Sequence, residues 1–207
     1  MLSRHKPRQQ GIVLLISLII LVVMGLASVA LLRSTSTSNV IAGNLAFQQA
    51  ATSSADQATE AAIAWLEGNK GKAASATASA CAVGSTVLAC DQAAWGFSAT
   101  RLDPTSTQSW EDLWTALAKT ITPVSVNNGA ADGAGNTMSY VIQRMCSAAG
   151  DASITNGCTV VPTSAECGNS KKIGPPQTCT SQVYYRITVQ VNGPRNTVSY
   201  TQAMVAL

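Results

Sequence analysis

The residues with the widest chemical reach in this sequence are six cysteines: Cys81, Cys90, Cys146, Cys158, Cys167 and Cys179. Their number is even, all lie after residue 80, and no two form a C-x-x-C pair. They therefore read as a disulfide framework from an oxidising compartment. The single histidine, His5, stands in the basic start of the chain. Everything after it must work without imidazole, which removes Ser-His-acid, Cys-His and His-zinc chemistry. Residues 127–136 (NNGAADGAGN) offer oxygen ligands and glycines in the manner of a calcium loop. They lack the acidic spacing and terminal glutamate of an EF-hand and read first as a flexible connection. Asp103, Glu111 and Asp112 could form an acid pair, but Glu111 and Asp112 are better explained as the first turn of a helix. Lys171 and Lys172 are a solvated pair, with an exposed contact patch as the alternative. There is no Gly-rich phosphate motif and no metal quartet; no cofactor, no metal and no enzyme activity is expected.

The elements that must position these groups begin with composition. Of 207 residues, 46% are apolar or aromatic and only 11% charged, which excludes a wholly disordered chain. Arg4, Lys6 and Arg8 precede Gly11, leaving the remainder with as many acids as bases, so no polyanion binder and no direct nucleic-acid partner is expected. Residues 12–32 (IVLLISLIILVVMGLASVALL) carry no charge and are long enough to cross a bilayer. Basic residues before this run and only Arg33 after it place the N-terminus in the cytoplasm and the remainder outside. A secretory signal peptide cut after Ala30 and a plain, unprocessed anchor both compete with a more specific reading.

No proline occurs between Ile12 and Glu67, so the apolar run can continue as a polar helix. Ile41, Leu45, Gln48, Ala51, Ala55, Ala58, Ala62 and Trp65 recur at three- or four-residue steps, a mainly alanine-sized stripe suited to close packing. A continuous helix would span roughly 84 Å at about 1.5 Å per residue, ending at Gly68-Asn69-Lys70-Gly71-Lys72.

A basic leader ending in Gly11, a hydrophobic helix directly after it and an alanine-rich extension together resemble a type IV prepilin. More narrowly, Met24-Gly25-Leu26-Ala27-Ser28, Arg33-Ser34-Thr35-Ser36-Thr37, Ala42-Gly43-Asn44 and Leu45-Ala46-Phe47-Gln48-Gln49-Ala50-Ala51 are similar to the PilX-type minor pilin pattern. Tyr185-Arg186-Ile187-Thr188-Val189 and Gln202 resemble that family more loosely. The resemblance implies a 1–11 leader, cleavage after Gly11 by a prepilin peptidase and methylation of Ile12. Residues 12–32 would be stored in the inner membrane and then packed in a filament core through Ile16, Ser17, Leu18, Leu21 and Gly25.

The implied partners are other minor pilins, the major pilin and possible contact with a pilus-tip adhesin, in machinery of adhesion and motility at the cell surface. Most pilins carry glutamate at the fifth position after the processing glycine, where this chain has Ile16. That carboxylate pairs with a neighbouring subunit's amine in the family's assembly picture; its absence favours a tip or priming position over the shaft. Ser17 is a weak substitute, expected to bond back to its own helix. A secretion pseudopilin of the tip, and an anchored extracytoplasmic binding domain unrelated to filaments, are the alternatives.

The expected fold is α+β and pilin-like: a long N-terminal helix (12–32 and 33–67) packed on an antiparallel sheet with disulfide-braced loops, the head covering 73–207. Residues 73–100 read as loop, with Trp95 and Phe97 packing locally. Ser109 caps a helix over 109–119, whose Trp110, Leu113, Trp114 and Leu117 share a face; the tryptophans read as anchors of the helix to the head, with ligand stacking as the alternative. Alternation predicts strands near 138–145, 183–191 and 197–205, the last two a hairpin turning at 192–196. Six cysteines allow 15 pairings. A strand ending at Cys146 beside one starting near Val183 favours Cys146–Cys179, with Cys158–Cys167 inside that loop and Cys81–Cys90 apart.

Overall fold

The computed structural model describes residues 11–74, 85–153, 155–162 and 181–207. Cys81, Cys167, Cys179, Lys171, Lys172 and the 1–10 part of the leader fall outside them. The chain divides into two units, Met1–Gln49 and Ala50–Leu207.

Helix α1 (Ile12–Asn69) runs through the first unit into the second. No proline interrupts it, and its hydroxyls are absorbed locally: Ser28 Oγ donates to Met24 O at 2.8 Å and Thr37 Oγ1 to Arg33 O at 3.0 Å. Within the second unit it buries Ser54, Ala55, Ala58, Ala62 and Leu66. Small side chains at these steps let the helix backbone approach the sheet closely while giving up little rotamer freedom.

Among the described residues the sheet has six strands: β1 (Phe97–Ser98), β2 (Val124–Ser125), β3 (Thr137–Arg144), β4 (Val160–Pro162), β5 (Ser181–Gly193) and β6 (Thr197–Ala206). β5 is central, pairing antiparallel with β3, β4 and β6. β2 adds antiparallel to β3, but β1 lies parallel to it through Phe97↔Ile142 and Ser98↔Gln143, so the sheet is mixed and not purely antiparallel as expected. One sheet face carries Met138, Tyr140, Ile142, Tyr185, Ile187 and Val189 against the α1 residues named above. On the other face Val141 packs with Leu113, Trp114 and Leu117 of helix α2 (Trp110–Thr120) and with Ile121 just after it. The second unit is thus three layers, helix on sheet on helix.

Local chemistry explains the edges of these elements. Ser109 Oγ accepts from Asp112 N at 3.1 Å, and Glu111 and Asp112 occupy the positive end of α2. The segment expected to be loop holds two short 3-10 turns, Val87–Ala89 and Ala93–Trp95, as well as β1. Gly96 closes the second turn at φ 67°, and a Cβ there would lie 2.9 Å from Val124 Cγ2, so both its conformation and its close approach require glycine. Phe97 is fully buried between Trp65 and Tyr185, whereas Trp95 is 59% exposed and does not pack locally as expected.

Candidate functional site

The first candidate is the N-terminal part of α1. Gly11 forms the turn ahead of the helix, and Ile12 is its first residue. Ile16, Ser17, Leu18 and Leu21 are exposed, and a Cβ built on Gly25 would meet nothing within 4 Å. An 18-residue window of this helix has a mean hydropathy of 3.1 with none of it buried, long and apolar enough to cross a membrane. Ser17 Oγ donates to Leu14 O at 2.9 Å, so the hydroxyl is spent within the helix. This part of the chain offers apolar surface and one glycine dent, with no ionisable group before Arg33.

The second is the polar framework of the head. The loop ahead of β3 folds around Asp132, whose Oδ1 accepts from Ala134 N and Asn136 N, both at 2.9 Å. Its Oδ2 accepts from Ser54 Oγ at 2.6 Å, and Asn136 Nδ2 donates to the same Ser54 oxygen at 2.9 Å. Ala50 O also lies 2.8 Å from that hydroxyl and shares its hydrogen. The Ser54 hydrogen bond, then that from Asn136 N, holds the Asp132 carboxyl below its usual range. The one acid of 127–136 therefore fastens the loop to α1, in place of the flexible connection expected there. Among the described residues, no three His, Cys, Asp or Glu side chains group to hold a metal ion.

Two arginines organise the other end of the sheet. Arg144 is 1% exposed and, among the described residues, meets no carboxylate in hydrogen-bonding range; its Nε donates to Ala99 O at 3.1 Å and its Nη1 to Leu88 O at 2.8 Å. Burial pulls its pKa below the usual arginine value. Arg186 donates to Gln143 Oε1, Leu102 O and Asp103 Oδ1, and Asp103 also pairs with Arg101 at 3.1 Å. Asp103 is thus a structural counter-ion and stands in no acid pair, while Asp112 accepts from Ser109 Oγ at 2.7 Å. Asp151 accepts from Ser85 N at 2.9 Å, which with the Ser85 hydroxyl keeps its carboxyl below the usual range.

The disulfide expectation needs correction. Cys146 bonds Cys158, so neither Cys146–Cys179 nor Cys158–Cys167 forms. The reason lies in the strands: Thr159 N donates to Met145 O, and Tyr184 N donates to Thr159 O. The chain entering β4 slots between the end of β3 and the start of β5, carrying Cys158 to Cys146. Cys90 is also in a disulfide.

Arg144 carried a signal in sequence, since the step of two through Met138, Tyr140 and Ile142 sets it on the core face. Ser54 carried one too, standing three positions after Ala51 and four before Ala58 of the alanine stripe. Nothing local to Asp132 announced a partner so distant in sequence. Comparison with protein-family models, with curated proteins and with solved structures finds no match.

Proposed function

We propose that this chain is a PilX-type minor pilin of a type IV pilus, acting in the tip or priming complex of pilus assembly. The observation that carries the reading is one helix of two characters. From Ile12 it is bare, uncharged and apolar, immediately after Gly11; further on, its alanine face seats against a sheet. A bilayer and the apolar core of a filament make the same demand on the first part, apolar surface without unpaired polar groups. The mature chain starts at Ile12 after peptidase cleavage, is stored in the inner membrane and leaves it for the filament. Ile16 sets its place: without a carboxylate there, the subunit has nothing to pair with the amine of a neighbour above and works where no such neighbour exists. The head is a structural part, making contacts with other minor pilins and the major pilin.

The test is the intact mass and N-terminal peptide of the protein from native membranes. A chain starting at methylated Ile12 is expected. A start at Leu31, or an uncut Met1, would refute the filament role and leave an anchored or secreted extracytoplasmic domain.

A further inference from the structure

Among the described residues β6 pairs with β5 alone, and its other edge is open. Val183 and Leu207 exchange both backbone hydrogen bonds at 3.0 Å. In an antiparallel ladder this fixes the parity. Val205, Ala203, Thr201 and Ser199 aim their N–H and C=O groups at β5. Val198, Tyr200, Gln202, Met204 and Ala206 aim theirs outward.

Natural edge strands are guarded by charge, proline or a bulge. β6 has none: TVSYTQAMVA contains no charged residue and no proline, and its register with β5 is unbroken from Gly193↔Thr197 to Tyr184↔Ala206. Val198 and Met204 stand beside the edge 50% and 54% exposed. A row of donors and acceptors at a two-residue pitch matches another extended backbone and no helical or folded surface.

We propose that the β6 edge takes up an uncharged extended segment of a partner protein, which adds to the sheet as a further strand. The absence of charge sets that segment's chemistry, because a charged strand laid along β6 would find no counter-ion among the side chains of β6 itself. Symmetry argues against a second copy. Two β6 strands paired antiparallel are related by a two-fold axis normal to the sheet, and that axis reverses the direction of the α1 residues lying on it. Chains that leave one bilayer in the same sense cannot pair in this way. Only this last step rests on the membrane-anchored reading.

The test uses the full chain in its native membranes with a photoreactive benzoylphenylalanine at Val198. Cross-links are expected to map to one uncharged segment of a single partner. Met204→Pro deletes an outward N–H and no ladder bond, so it should lower the yield about tenfold, while Met204→Leu leaves it unchanged. Cross-links to β6 of a second copy, to a charged or helical surface, or to nothing would overturn the proposal, as would equal yields from the two Met204 variants. Should Met204→Pro fail to fold, amide exchange of the unsubstituted chain decides. The Tyr200, Gln202 and Met204 amides should slow about tenfold when the mapped segment is added as a synthetic peptide, and unchanged exchange refutes the idea. An N-terminus other than Ile12 would sink the pilin reading and leave this edge test as it stands.

Discussion

Ser54 on α1 and Asp132 in the loop ahead of β3 are 78 positions apart in sequence, yet Ser54 Oγ donates to Asp132 Oδ2 at 2.6 Å. With Asn136 as third member, this contact ties helix to sheet by hydrogen bonds where the alanine face ties them by packing. Ser54→Ala removes the acceptor of the buried Asn136 amide and a donor to Asp132, and should cost about 1–3 kcal/mol. Urea denaturation of the variant beside the parent measures it; an unchanged midpoint would show the contact to be idle.

The same network sets an acid limb. Hydrogen bonds lower the folded-state pKa of Asp132 and, independently, of Asp151, so both favour the ionised carboxylate in the fold. Their contribution is present above the ordinary carboxylate range and is lost as pH falls through the folded-state pKa values. Asp132→Asn should therefore lower stability near neutrality and flatten the fall in melting temperature on acidification, read by calorimetry across that pH range.

Arg144 is buried against carbonyl oxygens of two separate loops, so its removal leaves Leu88 O and Ala99 O without their donor. Arg144→Leu should cost about 2–4 kcal/mol, more than an ordinary surface change. Arg144→Lys should recover only part of this, because an ammonium cannot reproduce the planar fork that reaches two loops. Thermal unfolding of both variants provides the comparison.

Cys146–Cys158 closes a loop with a sequence separation of 12. A loop of this size stabilises by about 3 kcal/mol through restriction of the unfolded chain. The double variant Cys146→Ala, Cys158→Ala should lose roughly that amount, and non-reducing peptide maps should yield a linked Cys146–Cys158 pair. A Cys146–Cys179 peptide would contradict the geometry.

For the proposed pilin, Gly11→Val should block cleavage and hold the full-length chain in the membrane, seen as an unprocessed band. Ile16→Glu supplies the carboxylate absent from the parent. The subunit should then enter the shaft, and immunogold label should spread from filament ends along their length; label confined to the ends would count against the role given to Ile16.

Much of this fold was legible because burial imposes a period. Val183, Tyr185, Ile187, Val189 and Val191 alternate with polar neighbours and correspond to the α1-facing side of β5. Ser109 with Glu111 and Asp112 announces α2 through backbone chemistry alone. β1 was not legible, since Phe97–Ser98 is too short to show any period and its parallel partner lies more than forty residues on. The Cys146 partner was missed because β4, only three residues long, decides which cysteine reaches it. Trp95 was misplaced because a large apolar side chain is ordinarily, but not necessarily, buried.

The central place of β5 has a consequence in time. β3, β4 and β6 all hydrogen-bond to it, and the first of its residues is number 181. A ribosome that has already made α1, α2 and β3 has also made β1 and β2, which pair with β3, but not the strand that joins β3 to β4 and β6. Such non-local pairing is slow to form, and the alanine face of α1 lacks the cover of Tyr185, Ile187 and Val189 until β5 emerges. Once β5 and β6 have emerged, adjacent in sequence, they can assemble quickly as a hairpin and draw β3 onto them.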